Sequence, residues 1–229
     1  MKIGTKSVLF GAHAFWFHPF FVARAWYHLY GFPFDPRLWV AFFVHDIGYL
    51  GKPNMDGPEG ESHPEIGATI ISWLFDRIPW WTEWQETLCG SAAMRALEAK
   101  GWLVQGYHGS NVVMSKPHFR WYEFCLYHSR HYTKKTGGTP SKLCFADKLS
   151  FCYTPRWAYL PMVKATGELT EYLENAKKSD SPNWKPCGDD PVAWHNQLSE
   201  YMAKWVETHK DGAVDTWTDG NRNAAKVAA

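Results

Sequence analysis

Apolar residues in this chain come in clumps of helical length, separated by short runs of glycine, proline and acid. Residues 20–29 and 38–50 form two such clumps. Between them, Gly31-Phe32-Pro33-Phe34-Asp35-Pro36 predicts a helix-to-helix connection, with Asp35 capping the second helix and Pro36 at its first position. Residues 51–61 (GKPNMDGPEGE) read as loop, and His63-Pro64-Glu65 opens a further helix that runs through Trp73 to about Arg77. Residues 80–95 read as helical or irregular around Trp80, Trp81 and Trp84, with good helix formers at 92–99. Residues 101–117 are mixed: Val112 and Val113 are β-branched, but the stretch is short and glycine-rich for a strand. Helix is predicted again over about 120–132, then a polar loop at 133–140, then a helix over 141–151 that Ser141 can cap. Residues 176–191 read as a polar, proline-rich linker. The last helix, about 191–209, has Val192, Leu198, Met202 and Trp205 near helical spacing, and the tail after Asp211 is expected to fray. The fold class this predicts is all-α.

Composition narrows the function classes. With 24 Lys and Arg against 23 Asp and Glu, the net charge of +1 implies no broad basic surface, so no stable nucleic-acid partner is expected. Aromatic residues make up 17% of the 229 positions, including 14 Trp, and only 21% are charged, which excludes a disordered chain. Five cysteines without a C-x-x-C pair argue against a disulfide framework or cysteine zinc module and fit a reducing, cytoplasmic setting. The uncharged run at 7–23 has too short an apolar core for an export signal. It is also interrupted by His13, His18 and Pro19, so neither targeting nor membrane insertion is expected.

Candidate chemistry lies in the 11 histidines. His18, the adjacent pair His45-Asp46, His63, His128 and Asp147 fall on or at the ends of separate predicted helices. Imidazole and carboxylate are the ligand types of zinc, iron and manganese centres. The segments Phe43-Val44-His45-Asp46-Ile47-Gly48, His63-Pro64-Glu65-Ile66-Gly67-Ala68 and Phe145-Ala146-Asp147-Lys148 resemble the HD-domain metal-dependent phosphohydrolase superfamily. The HDIG motif is complete, and His63-Pro64 with Gly67 resembles the HPxxG element of the HD-GYP branch. Tyr127-His128-Ser129 through Ala146-Asp147-Lys148 is similar to the ending of the HD hydrolases that split diadenosine tetraphosphate. The resemblance covers about residues 10–160.

The resemblance implies an HD-domain helical bundle at 1–160 and a C-terminal helical extension at 161–229 that matches nothing nameable. It also implies one or two divalent ions (Mn, Fe, Co, Zn or Mg) held by His18, His45, Asp46 and Asp147, with His63 and His128 serving a second ion. His13 is the runner-up to His18, and His131, one turn beyond His128, its possible substitute. Asp46 would be catalytic and bridge two ions; Lys148 and Arg24 are the favoured phosphate contacts. Lys52, Arg130, Lys134 and Lys135 are weaker candidates, and the acids of the 54–61 loop are a possible outer shell around the ligand histidines. The substrate implied is a small phosphate compound such as a nucleotide, cleaved by metal-activated water. The GYP tripeptide is absent, with Thr136-Gly137-Gly138-Thr139-Pro140 in the place of a related loop, which demotes cyclic-di-GMP. An HD-type di-iron oxygenase and a silent nucleotide-binding HD module are the alternatives. The residues do not specify an oligomeric state.

Overall fold

The computed structural model describes residues 1–76, 84–99, 103–115, 121–179 and 188–211. The chain divides into two compact units, one of residues 1–71 and 122–229 and one of residues 72–121. All the candidate ligands belong to the first.

The described elements of the first unit begin with α1 (Ile3–Phe10), α2 (His18–Tyr30) and α3 (Pro36–Val44), followed by two 3-10 turns, Ile47–Tyr49 and Gly60–Ser62. Helix α4 (Pro64–Phe75) starts in this unit and runs into the second. The chain returns to the first unit through α6 (Trp121–Leu126), α7 (Arg130–Thr136), α8 (Lys142–Tyr153), α9 (Arg156–Thr166), α10 (Glu168–Lys177) and α11 (Pro191–His209). Local chemistry sets these boundaries. Asp35 accepts from the Arg37 amide at 2.9 Å, with Pro36 opening α3, and Ser141 accepts from the Cys144 amide to open α8. Asp190 caps α11 in the same way, accepting from the Val192 amide at 2.8 Å.

Helix α8 lies at the centre: it packs on α2 and α11, and Leu143, Cys144, Phe145 and Ala146 are all buried. A helix buried on most sides carries no single apolar face, and Asp147 takes one of its buried positions. Val22, Ala25 and Trp26 of α2 recur at i, i+3 and i+4 and bury the face that also bears His18. Trp205 of α11 stacks on Phe145 with ring centroids 5.3 Å apart, and Tyr159, Val163, Leu169 and Trp194 form a further core in the C-terminal helices. Part of the tryptophan surplus is therefore core packing. No described helix is long and apolar enough to cross a membrane.

The second unit corrects the reading of residues 80–117. It holds β1 (Trp84–Leu88), α5 (Ala92–Ala99), β2 (Leu103–His108) and β3 (Asn111–Ser115), with the strands in an antiparallel sheet of order β1-β3-β2. Leu88 pairs with Asn111 on one side of β3 and His108 with Asn111 on the other; an irregularity at Val104/Gly106 shifts the second register. Alternation decides the structure here, since Val112 and Met114 are fully buried while Val113 is less so. The class remains mostly helical. A second correction concerns residues 120–140. The single predicted helix is two helices broken at Tyr127–Ser129, and the second continues to Thr136 before Gly137 ends it at φ 70°. Trp80, Trp81, Cys187, residue 77 at the end of the predicted third helix, the heart of the 176–191 linker and the tail from 212 onward lie outside the described residues.

Candidate metal centre

Each ligand is delivered by the end of an element or by a buried face. His18 opens α2, His45 and Asp46 follow α3, His63 precedes α4, His128 sits in the break between α6 and α7, and Asp147 lies mid-α8. All six are buried. The donors form two groups with one member in common. In the first, His45 Nε2 is 2.9 Å and His18 Nε2 3.3 Å from Asp46 Oδ2, and His18 Nε2 is 3.0 Å from Asp147 Oδ1. In the second, His63 Nε2 and His128 Nε2 are each 3.4 Å from Asp46 Oδ1 and 3.1 Å from one another. Each group lies within 4.8 Å, the spacing of ligands around one ion. The Asp46 carboxylate offers one oxygen to each.

Hydrogen bonds at the far side of the rings test whether this set fits a cation. Nδ1 of His45 donates to the Phe42 carbonyl at 3.0 Å, Nδ1 of His63 to the Gly60 carbonyl at 2.8 Å, and Nδ1 of His128 to the Cys125 carbonyl at 2.5 Å. A neutral imidazole with its proton on Nδ1 carries a lone pair on Nε2, so His63 and His128 point two lone pairs at each other. His45 Nε2 and Asp46 Oδ2 are buried and, though 2.9 Å apart, are not aligned for a hydrogen bond with each other or with any other group. Burying such atoms is unfavourable unless something positive lies between them, and the residues fit one or two divalent ions.

Protons partly take that place. Burial pulls the His45 pKa down, but Asp46 and Asp147 outweigh it and raise it to about 10; His18 is raised by the same two carboxylates against the same burial. Burial opposes the charge on Asp46, but the surrounding imidazoles, His45 first, hold it well below the usual carboxylate range. Asp147 is likewise held low against burial, first by Lys148. Burial lowers His128, and it takes His63 down to about 4. A metal ion at the first group therefore competes with the protons of His18 and His45, so its affinity is expected to rise with pH through neutrality towards pH 10. Zinc titration calorimetry in buffers of different ionisation enthalpy is expected to show release of at least one proton per ion at pH 7; no release would contradict this charge state.

Two glycines bring the ligand segments together. A Cβ at Gly48 would overlap the His63 carbonyl, and one at Gly67 would come within 2.5 Å of the Val44 carbonyl. The glycines of the two motifs thus let the turn after His45 lie backbone to backbone against the start of α4. Tyr49 stacks on His63 with centroids 3.8 Å apart and fixes its ring.

Among the cations, Lys148 Nζ donates to Asp147 Oδ2 at 2.7 Å and lines a cavity with His18 and Asp147. Arg24 is not brought there: it is exposed, with its guanidinium 4.8 Å over the Tyr153 ring. His131 also lies apart, exposed and 3.9 Å from Glu61, because the break after His128 ends the helical register that would put both on one face. Arg130 packs over Trp205, Lys52 donates to Ser62 Oγ at 2.5 Å, and Lys134 and Lys135 are exposed. In the 54–61 loop it is the Gly60 carbonyl, rather than an acid, that supports a ligand histidine.

One neighbour of the site has a role its spacing did not reveal. His13 sits edge-on to His18, ring centroids 5.7 Å apart, and lines the same cavity. Glu168, fully buried, accepts from Ser7 Oγ at 2.9 Å, Thr166 Oγ1 at 2.5 Å, Tyr172 OH at 3.0 Å and the Ala12 amide at 3.3 Å. Because the Ser7 proton goes to Glu168, the 2.9 Å contact between Ser7 Oγ and His13 Nδ1 needs the proton of His13 Nδ1. Burial lowers the His13 pKa to about 3, so the ring is neutral and its Nε2 is an acceptor. In nitrogen-15 spectra His13 is expected to be the Nδ1–H tautomer, shifting towards Nε2–H in Ser7→Ala; an unchanged spectrum would mean that Glu168 and Ser7 do not set it.

Comparison of the chain with family models, curated proteins and solved structures finds no match.

Proposed function

We propose that this protein is a metal-dependent phosphohydrolase of the HD type, acting on a small phosphate ester or anhydride. The observation that carries the reading is the pairing of a two-part donor set sharing Asp46 with the Lys148 ammonium at the wall of an adjoining cavity. When bound, one or two divalent ions supply Lewis acidity to phosphoryl oxygens and lower the pKa of a water molecule towards neutrality. His18, His45 and Asp147 would hold the first ion, His63 and His128 the second, and Asp46 both. Lys148 donates one N–H of its ammonium to Asp147 and keeps two further charge-assisted donors for an anionic substrate. His13, with Nε2 an acceptor, can receive a hydrogen bond from a nucleophilic water or a substrate hydroxyl. The cation favours an anionic substrate over the uncharged one that an oxygenase with the same donors could use.

The test is a screen of nucleoside mono-, di- and triphosphates, dinucleoside polyphosphates, cyclic nucleotides and para-nitrophenyl phosphate with Mn, Co, Fe and Mg. Phosphate release that disappears in Asp147→Ala is the expected result. Oxygen-dependent turnover with a mixed-valent di-iron signal and no phosphate release would replace the reading with the oxygenase.

A further inference from the structure

Two cavities in the first unit share a wall. The inner one, about 120 Å³, begins at His18, Asp147 and Lys148 and ends at Tyr159, Tyr172 and Met202. The outer one, about 320 Å³, starts from those same three residues and continues to Trp194, Asn175 and Asp56. The two cavities thus adjoin at Tyr159, Tyr172 and Met202, and from the candidate metal ligands towards the C-terminal helices their lining changes in order: cation and metal donors, then aromatic rings, then polar acceptors.

The aromatic section is ordered. Tyr172 and Trp194 are 9° from parallel with centroids 5.7 Å apart, and Tyr159 lies within 24° of the same plane at 6.5 Å from Trp194. At the far end, Asn175 Nδ2 donates to Asp56 Oδ2 at 3.0 Å, which leaves the amide carbonyl and the second carboxylate oxygen as acceptors. Asp56 is held beside α10 because its own amide and that of Met55 donate to Glu171, each at 2.9 Å.

We propose that the outer chamber binds the base of a nucleotide whose phosphate lies at the inner end, the base against Tyr172 and Trp194 and its amino edge facing Asp56 and Asn175. This rests on the hydrolase reading for the position of the phosphate alone. Phosphate, flat ring and N–H donors occur in that order in adenine and guanine nucleotides, and the chamber volume is at the small end of ligand pockets, about 300 to 1,000 Å³. The C-terminal extension thereby acquires a role in substrate choice.

Calorimetric titration compares adenosine and guanosine monophosphates with ribose 5-phosphate, which lacks only the base. The nucleotides are expected to bind at least about tenfold more tightly to the wild-type chain, in keeping with stacking of one base. Ala176 lines the chamber, and Ala176→Trp, which fills it, is expected to erase that difference while leaving ribose 5-phosphate binding unchanged. Asn175→Ala, at an exposed position, is expected to reduce it about fivefold without disturbing the fold. Equal binding of nucleotide and ribose 5-phosphate to the wild type, or an intact preference in a folded Ala176→Trp, overturns the proposal. Hydrolysis of para-nitrophenyl phosphate separates the two claims. Its presence without a base preference sinks the chamber alone, and its absence alongside a base preference sinks the hydrolase alone.

Discussion

Asp46→Asn is expected to leave a folded chain that holds no metal in either half of the centre. Among the described residues, Asp46 alone has its two donor atoms divided between the groups, Oδ2 facing His45 and His18 and Oδ1 facing His63 and His128. The amide is nearly the same size, so packing survives, but it replaces one acceptor with an N–H₂ group and removes the charge. Metal analysis of purified protein is expected to fall to background. Phosphate release should fall on the order of 10³-fold or more, corresponding to loss of several kcal/mol of electrostatic stabilisation. Full metal content in this variant would show that Asp46 is not the shared ligand.

The same substitution makes a signed prediction for the metal-free chain. His45 has its pKa raised to about 10, so its ionic contribution to stability is complete below its unfolded value of 6.5 and is lost as pH rises towards 10. Asp46 is shifted down, so its contribution is present above its unfolded value of 3.8 and is lost as pH falls below it. The pair therefore stabilises most between about pH 4 and 6.5. Removing one partner of a buried pair costs about 3 kcal/mol. Urea unfolding in the presence of a chelator should show a gap between wild type and Asp46→Asn that is wide at pH 6 and narrower at pH 9. A gap independent of pH would mean that the carboxylate contributes packing alone.

The candidate ligands in short contiguous motifs are legible from the chain as residues that the fold brings together, because His45-Asp46 at a helix end, His63 before a helix and Asp147 inside one carry local signals. His128 was legible by residue type, but the helix break that aims it was not, since no proline or glycine marks Tyr127–Ser129. That break is why His131 fails as its substitute. Arg24 is a plausible phosphate contact by charge and by its place six residues after His18, yet a tyrosine on α8 takes its guanidinium. The hairpin of β2 and β3 did carry a signal: Gly109-Ser110, between Tyr107-His108 and Asn111-Val112-Val113, is a two-residue turn, with Gly109 at φ 61°. Glu168 and Ser7 could not have been paired from the chain, because 161 residues separate them and the contact exists only once α10 folds back.

Gly48→Ala is expected to divide the centre rather than abolish it. A Cβ at Gly48 would overlap the His63 carbonyl, and neither atom belongs to a flexible side chain, so the two backbone segments must move apart. The shift required is about 1 Å or more, and it carries His63 away from Asp46 Oδ1 and from its stack on Tyr49. His18, His45, Asp46 and Asp147 lie on the other side of this contact and keep their distances. Overpacking of this kind costs about 1 to 3 kcal/mol, which for a chain of this size lowers the melting temperature by about 2 to 4 °C per kcal/mol. Metal analysis should therefore show loss of the ion at His63 and His128 with retention at the first group, in contrast to the loss of both in Asp46→Asn. Gly67→Ala, whose Cβ would press on the Val44 carbonyl and also on the backbone of His45, should weaken the first group as well. If Gly48→Ala instead kept all its metal with an unchanged melting temperature, the close backbone contact would not be what holds the second half of the centre in place.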